Sequence, residues 1–283
     1  MKSLTDCYQL YNGIQIPCVG FGTWQTPNGE IAVSAVKEAI SLGYRHIDTA
    51  AGYENEESVG IAVKECGVPR EELFITSKLQ NTHHGYEATL TAFETTMKNL
   101  DMDYLDLYLI HWPNPVKFRG HWKKANAGTW KAFEELYKAG RIRSIGISNF
   151  MPHHIDALLE TAEIVPMVNQ IRLCPGEIQA KTVEYCKAHS ILLEAYSPLG
   201  TGHVFEVPEM KIFVGKYNKS IAQICLRWSL QMGYLPLPKS VTASRIKENA
   251  DIFDFELSGA DVEAIAGLTD CCGKSTDPDT TNF

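Results

Sequence analysis

The sequence predicts an α/β protein built as a closed (β/α)8 barrel of the TIM type, with an N-terminal β-hairpin in front and a C-terminal helix and tail behind. Three observations carry this reading. Short apolar runs alternate with amphipathic stretches eight times in strict order. Those eight units run from Pro17 to Asp251, roughly 235 residues, which suits a closed barrel better than an open sheet. No linker, low-complexity segment or short-period repeat divides the 283 residues, so the whole chain, 1–283, is read as one domain.

Taken in order, apolar residues from Tyr8 to Ile16 flank Asn12-Gly13, the strongest short hairpin signal. Pro17 to Gly22 is the first barrel strand; Ala32, Ala35, Val36, Ala39 and Ile40 then recur at helical spacing until Gly43 stops the helix. His46 to Thr49 is the second strand, with a helix through Val59, Ala62 and Val63. Leu73 to Lys78 is the third, followed by a long helix from Tyr86 to Leu100. Tyr104 to His111 is the fourth, and its helix carries Trp130, Phe133 and Leu136. Ile142 to Asn149 and Met167 to Ile171 are the fifth and sixth, with helices around Ile155 to Leu159 and Thr182 to Ala188. Leu192 to Ser197 is the seventh, before a helical stripe of Ile221, Ile224, Cys225 and Trp228. Leu235 to Ser240 is the eighth, followed by a helix from Arg245 to Asp251, a further helix over Gly259 to Leu268, and a polar end from Gly273 to Phe283.

Composition excludes several classes. Lys and Arg number 26 against 34 Asp and Glu, a formal net charge of −8 with no run of like charges, so the overall field offers nothing to nucleic acid or an anionic membrane. An anionic ligand must be held by a local cluster of donors. Met1 to Leu10 lacks the charged start and apolar run of a signal peptide. The longest apolar stretch, around Tyr104 to Trp112, is broken by Asp106 and falls far short of the ~20 residues of a spanning helix. A cytoplasmic protein is expected. The eight cysteines contain no CxxC pair, which fits reduced thiols, and no metal is expected; adjacent Cys271 and Cys272 could be redox-active or bystanders.

In such barrels the loops after the strands converge on one face, where the site lies. Reading off those ends gives Asp48 after the second strand, with Tyr53 five residues on, Lys78 after the third and His111 after the fourth. Singly, Asp48 and Lys78 could be a structural ion pair, Tyr53 a rim aromatic and His111 a hydrogen-bonded core residue. Together they suit proton delivery to a carbonyl oxygen. A free tyrosine has a pKa near 10, and an ammonium beside it is expected to lower that value. Asp48 would keep Lys78 charged and oriented, and His111 would donate a hydrogen bond to the carbonyl oxygen. No side chain supplies a hydride, so a nicotinamide cofactor is the natural donor.

The strings GFGTW (Gly20 to Trp24), GYRHIDTAAGYENEESVG (Gly43 to Gly60), LFITSKL (Leu73 to Leu79), DLYLIHWP (Asp106 to Pro113), IGISNF (Ile145 to Phe150), AYSPLG (Ala195 to Gly200) and LPKSVTASRIKEN (Leu237 to Asn249) closely resemble the aldo-keto reductase family over essentially the whole chain. The resemblance implies a barrel that reduces aldehydes or ketones with NADPH, with Tyr53 as general acid and Asp48, Lys78 and His111 completing a tetrad. It implies a monomer whose partner is a small carbonyl substrate.

Gly20-Phe21-Gly22 is followed by Gln25 at the third position beyond and is not a Rossmann fingerprint. The better phosphate candidate is Lys239-Ser240-Val241-Thr242 running into a helix with Arg245, although Lys239 and Arg245 could equally be solvated surface charges. The resemblance implies that Lys239, Ser240 and Arg245 bind the adenosine 2′-phosphate, with Val241 and Thr242 beside them and Glu248 and Asn249 near adenine. It further implies that Ser148, Asn149 and Gln170 hold the carboxamide and that Tyr196 stacks on the nicotinamide. Gly22, Thr23, Trp24, Ser197 and Leu199 would line the rest of the cofactor path, with Asp48 also in contact.

Trp24 and Trp112 fit apolar pocket walls beside Tyr53 and His111. Where many relatives carry another Trp, this chain has Gln80, which predicts a wider pocket and a preference for small polar or aromatic aldehydes and α-dicarbonyls. Relatives usually have Glu and His at Arg172 and Cys174, so packing under the site is expected to differ. Two other readings compete: a Schiff-base aldolase using Lys78 as nucleophile, and a cofactor-binding regulatory barrel with little turnover.

Overall fold

The computed structural model describes all 283 residues. A hairpin of β1 (Cys7–Gln9) and β2 (Gln15–Pro17) precedes β3 (Gly20–Gly22), α1 (Glu30–Ser41), β4 (His46–Asp48), α2 (Glu56–Glu65), β5 (Phe74–Leu79), α3 (Tyr86–Leu100), β6 (Leu107–Ile110) and α4 (Trp122–Lys138). The chain continues through β7 (Ile145–Ser148), α5 (Pro152–Leu159), β8 (Val168–Arg172), α6 (Ala180–Ala188), β9 (Leu192–Tyr196), α7 (Met210–Tyr217), α8 (Ile221–Gln231), β10 (Leu235–Leu237), α9 (Ala243–Ala250) and α10 (Gly259–Ala266). Eight strands, β3 to β10, pair in parallel in chain order. The Gly22 N–H donates to Pro238 O at 3.0 Å, which joins the first strand to the last and closes the barrel.

Small residues ease the closure. A Cβ on Gly20 would sit 2.4 Å from Leu237 Cδ2 and 2.7 Å from His46 Nδ1, so both side chains would have to shift to admit it. Strands β3 to β8 and β10 are buried along their whole length, as expected of a sheet covered by helices outside and side chains within. Trp228 on α8 and Trp130 on α4 are fully buried, and their indole N–H groups reach Val262 O at 3.2 Å and Ile164 O at 2.9 Å.

The hairpin covers the end of the barrel where strands begin. Tyr8 and Tyr11 donate to Tyr234 O (3.2 Å) and Val165 O (2.5 Å), and Asn12 Nδ2 to Arg143 O (3.1 Å), each carbonyl just ahead of a barrel strand. Its turn is three residues, Tyr11 to Gly13, rather than the expected two, because Leu10 and Ile14 still pair through Leu10 N–H and Ile14 O at 2.9 Å.

Several boundaries differ from the sequence expectation, the eighth strand, for one, stopping at Leu237 rather than Ser240. Pro17 pairs with Cys7 in the hairpin, so the first barrel strand starts at Gly20. The third strand runs on to Leu79. The fourth and fifth begin at Leu107 and Ile145, since Leu105 and Ile142 make only an isolated bridge. Asp106, which interrupts that apolar run, is buried and accepts from Ile75 N–H at 2.9 Å, with Arg143 and Arg70 at 2.7 and 2.8 Å. Helix α7, between β9 and α8, was not expected.

Candidate active site

Strand β4 ends at Asp48, and a single 3-10 turn over Ala51–Tyr53 then folds back, closed by Tyr53 N–H on Ala50 O at 2.9 Å. Glu54 follows with φ 58°, and that left-handed residue ends the turn. The turn carries the Tyr53 hydroxyl to Lys78, which is inside β5 and completely buried. The Lys78 ammonium donates to Asp48 Oδ1 at 2.7 Å, Thr49 O at 2.9 Å and the Tyr53 hydroxyl at 3.1 Å. All three ammonium hydrogens are thereby used. His111, one residue past β6, meets the Tyr53 ring edge-to-face with centroids 5.7 Å apart. Four residues from three adjacent strands thus converge at one mouth, as the sequence reading expected.

Electrostatics depart from that reading at one point. Lys78 was expected to bring the Tyr53 phenol below the usual tyrosine range; instead exclusion from water raises it, and the ammonium offsets that only in part. Tyr53 therefore stays a protonated phenol at neutral pH. Lys78 loses favour as an ammonium through burial, but the charge of Asp48 and its contact with Tyr53 outweigh this and hold it above its ordinary value. A lysine so held is not a neutral nucleophile, which removes the basis for a Schiff-base reading. Burial and the Lys78 charge push the His111 imidazole down to about 3, so it is neutral and keeps one N–H to donate.

Around the tetrad, the residues expected to line a cofactor path occupy neighbouring strand ends. Ser148 Oγ donates to Gln170 O at 2.8 Å, Asn149 Nδ2 to His111 O at 3.0 Å, and the Tyr196 hydroxyl to Asn149 Oδ1 at 2.8 Å. Asn149 and Ser197 both have positive φ, 62° and 49°, each in the residue just past a strand, β7 and β9. Thr23 N–H and Oγ1 both donate to Asp48 O at 3.0 Å, tying the loop after β3 to the tetrad. Leu199 is half-buried in the loop after β9, next to Gly200.

Across the mouth, Lys239 reaches Gln25 O at 3.2 Å, and Thr242 N–H donates to Ser240 Oγ at 3.1 Å. Helix α9 begins at Ala243, so its first N–H groups lack partners within the helix, and the Arg245 side chain is exposed on the same turn. Val241 is exposed, Glu248 half-buried and Asn249 buried. Backbone donors, a helix amino terminus and two cations make a set that fits a phosphate.

This geometry can be set beside known proteins. A model of the Aldo/keto reductase family matches residues 18–270. The chain belongs to the aldo/keto reductase family. It is 52% identical over 266 residues to glyoxal reductase of Bacillus subtilis, covering 94% of each protein, and 42% identical over 277 residues to methylglyoxal reductase of Escherichia coli, covering 97% of each. An aldo-keto reductase of Bombyx mori solved in complex with NADP superposes with a TM-score of 0.83 at 36% identity, covering 94% of this chain and 92% of that one. Membership makes this aldo/keto reductase an oxidoreductase of the nicotinamide-dependent kind.

On the substrate side of this aldo/keto reductase, Trp24 is exposed at the rim and Gln80 lies over Gly52, where a Cβ would fall 2.8 Å from Gln80 Oε1 and 3.9 Å from His111 Cε1. Trp112 is met edge-on by Phe283, the last residue, with centroids 4.8 Å apart. The polar end from Gly273 to Phe283 therefore folds back onto Trp112, one of the residues expected to line the pocket. Asp279 accepts from His153 Nε2 and His154 Nε2 at 3.0 Å and from Asn114 Nδ2 at 2.8 Å, while Val116 N–H donates to Phe283 O at 3.1 Å. Arg172 donates to the carbonyls of Lys274 (2.8 Å) and Cys272 and so fastens the start of the same tail. Cys174 lies beside it, buried, and contacts Cys272. All eight thiols are free.

Two buried residues escaped sequence reasoning. Asn55 links the loops after β3 and β4, donating to Thr23 O at 2.9 Å and Thr26 O at 3.0 Å and accepting from Thr49 Oγ1 at 2.8 Å. Glu194, in the middle of β9, accepts from Gln170 Nε2 at 2.8 Å, and the same nitrogen donates to Asp48 Oδ2 at 2.8 Å. An acid inside an apolar strand was the available signal. A depression of about 490 Å³ bordered by Tyr11, Tyr137, Glu163 and His189 opens at the hairpin end, away from all of these groups.

Proposed function

We propose that this protein reduces small aldehydes and α-dicarbonyls with NADPH, and that Tyr53 delivers the proton. The observation that carries the reading is the Lys78 ammonium bonded at once to Asp48 and to the Tyr53 hydroxyl, with neutral His111 alongside. A carbonyl oxygen placed between Tyr53 and His111 receives the phenolic proton and a hydrogen bond from the imidazole N–H. Lys78 supports the phenolate that forms, and Asp48 and Thr49 O keep the ammonium in place. When bound, NADPH supplies the hydride to the carbonyl carbon.

Support for NADPH over NADH comes from Lys239, Ser240 and Arg245 at the start of α9, which suit an extra phosphate, and from the NADP complex of the Bombyx mori relative. Val241 and Thr242 complete that lip, with Glu248 and Asn249 toward adenine. Ser148, Asn149 and Gln170 would take the carboxamide and Tyr196 the ring face; Gly22, Thr23, Trp24, Ser197 and Leu199 would line the path between. The small-dicarbonyl preference is favoured by Gln80 in the pocket wall and by the glyoxal and methylglyoxal reductases among the relatives. We read residues 1–283 as one domain acting as a monomer in the cytoplasm, which the free thiols suit.

Tyr53→Phe tests the mechanism. Methylglyoxal reduction should fall by about 10²–10⁴-fold, the usual worth of a positioned acid, while NADPH binding measured by fluorescence stays within a few-fold. Turnover at the wild-type rate would defeat the assignment of Tyr53. Steroid-like ketones giving the highest kcat/KM in a carbonyl panel would defeat the substrate class.

A further inference from the structure

Gln170 and Glu194 face each other in register on adjacent strands, β8 and β9, with both side chains inside the barrel and fully screened from water. The Gln170 Nε2 has two hydrogens, and both are committed at 2.8 Å, one to Asp48 Oδ2 and one to Glu194 Oε2. The opposite amide orientation would set the carbonyl oxygen against the Asp48 carboxylate, which is fixed by Lys78. The orientation of Gln170 is thus over-determined, and Oε1 is the amide atom left for the mouth.

We propose that Glu194 is a positioning residue for hydride transfer: by pinning Gln170 together with Asp48, it presents Gln170 Oε1 as the acceptor for the amide N–H of the nicotinamide carboxamide. The inference rests on the reading of this site as an NADPH site. It explains why an acid is kept where an apolar side chain would avoid the cost of burying a polar group. No cation is paired with Glu194, and the Lys78 charge offsets its burial only in part. The nearest candidate, His46 Nε2, is 3.8 Å away, and burial with the Lys78 charge pushes that imidazole down to about 3, so it is neutral. Burial and the Asp48 charge raise the Glu194 carboxyl to about 8, and a neutral acid can accept from Gln170 without placing a second charge beside Asp48.

The test uses two cofactors that differ only at the carboxamide: NADPH, and the reduced 3-acetylpyridine analogue, in which a methyl replaces the amide nitrogen. Dissociation constants are measured by fluorescence without a carbonyl substrate, so turnover is not the readout. Wild type should prefer NADPH by roughly three- to tenfold, the worth of one hydrogen bond. Glu194→Met, similar in volume but without an acceptor, should bring the two constants within twofold of each other. Glu194→Gln, which keeps an acceptor oxygen, should retain the preference. Should the Met variant not fold, Glu194→Leu, which also lacks an acceptor, carries the same comparison. A preference unchanged in the Met or Leu variant, or one lost in the Gln variant, would overturn the role of Glu194. Failure of wild type to bind NADPH would instead overturn the reading of the site.

Discussion

Lys78 is an ammonium with three oxygen neighbours and no water around it, so its charge is balanced by Asp48 alone. Removing one member of such a pair leaves the other buried and uncompensated. Lys78→Met should therefore destabilise the fold by about 3–5 kcal/mol, read as a lower urea midpoint at unchanged m-value. The double variant Lys78→Met with Asp48→Asn should recover part of that loss, and a double variant as unstable as the sum of the singles would show that the pair is not coupled. The four tetrad residues were legible because each stands at or just past the end of an apolar run, where the chemistry of such barrels gathers. Glu194 was not, since it stands inside the run Leu192–Tyr196 and its meaning depends on Gln170, 24 positions earlier. The acidity of Tyr53 was misjudged for a related reason. Its adjacent ammonium follows from sequence position, but its exclusion from water is a property of the folded loop.

Among the elements, hydrophobic period identified all eight barrel strands and their helices, and it failed where order depends on distant partners. Helix α7 has only Met210 and Phe213 buried, too few to show a stripe. The segment Gly273 to Phe283 reads as a polar end, yet Asp279, Arg172 and Arg119 fasten it to α5, β8 and the loop after β6. Helix pairing shows a sharper constraint. Gly60 on α2 lies against the end of α3, where a Cβ would come 2.3 Å from Leu100 O, a backbone atom that cannot swing aside. Gly60→Ala should cost about 1–3 kcal/mol through overpacking, although alanine is the better helix former. A melting temperature equal to or above wild type would show that α2 and α3 separate freely.

For the molecule as a whole, the buried histidines set the response to acid. Burial pushes His46 and His111 to about 3 and His84 and His154 to about 4, against an unfolded value of 6.5. Between those limits the unfolded chain binds more protons than the folded one, so stability is present above pH 6.5 and is lost as pH falls toward 4. Glu194 works the other way: its folded pKa of about 8 exceeds its unfolded value of 4.5, so its share declines as pH rises between the two. Near pH 5.3 unfolding should take up about three protons, four from the histidines less one for the carboxyl. The melting temperature should fall steeply from pH 7 to 5, and His84→Gln should flatten that fall; equal melting temperatures at pH 7 and 5 would refute it. Met1 and Phe283 lie in unlike places: the Met1 carbonyl accepts from Arg227 on α8, whereas the Phe283 ring packs on Trp112. A bulky label carried on Phe283 would stand against a residue expected to line the pocket, so fluorescent probes and surface tethers belong near Met1 instead.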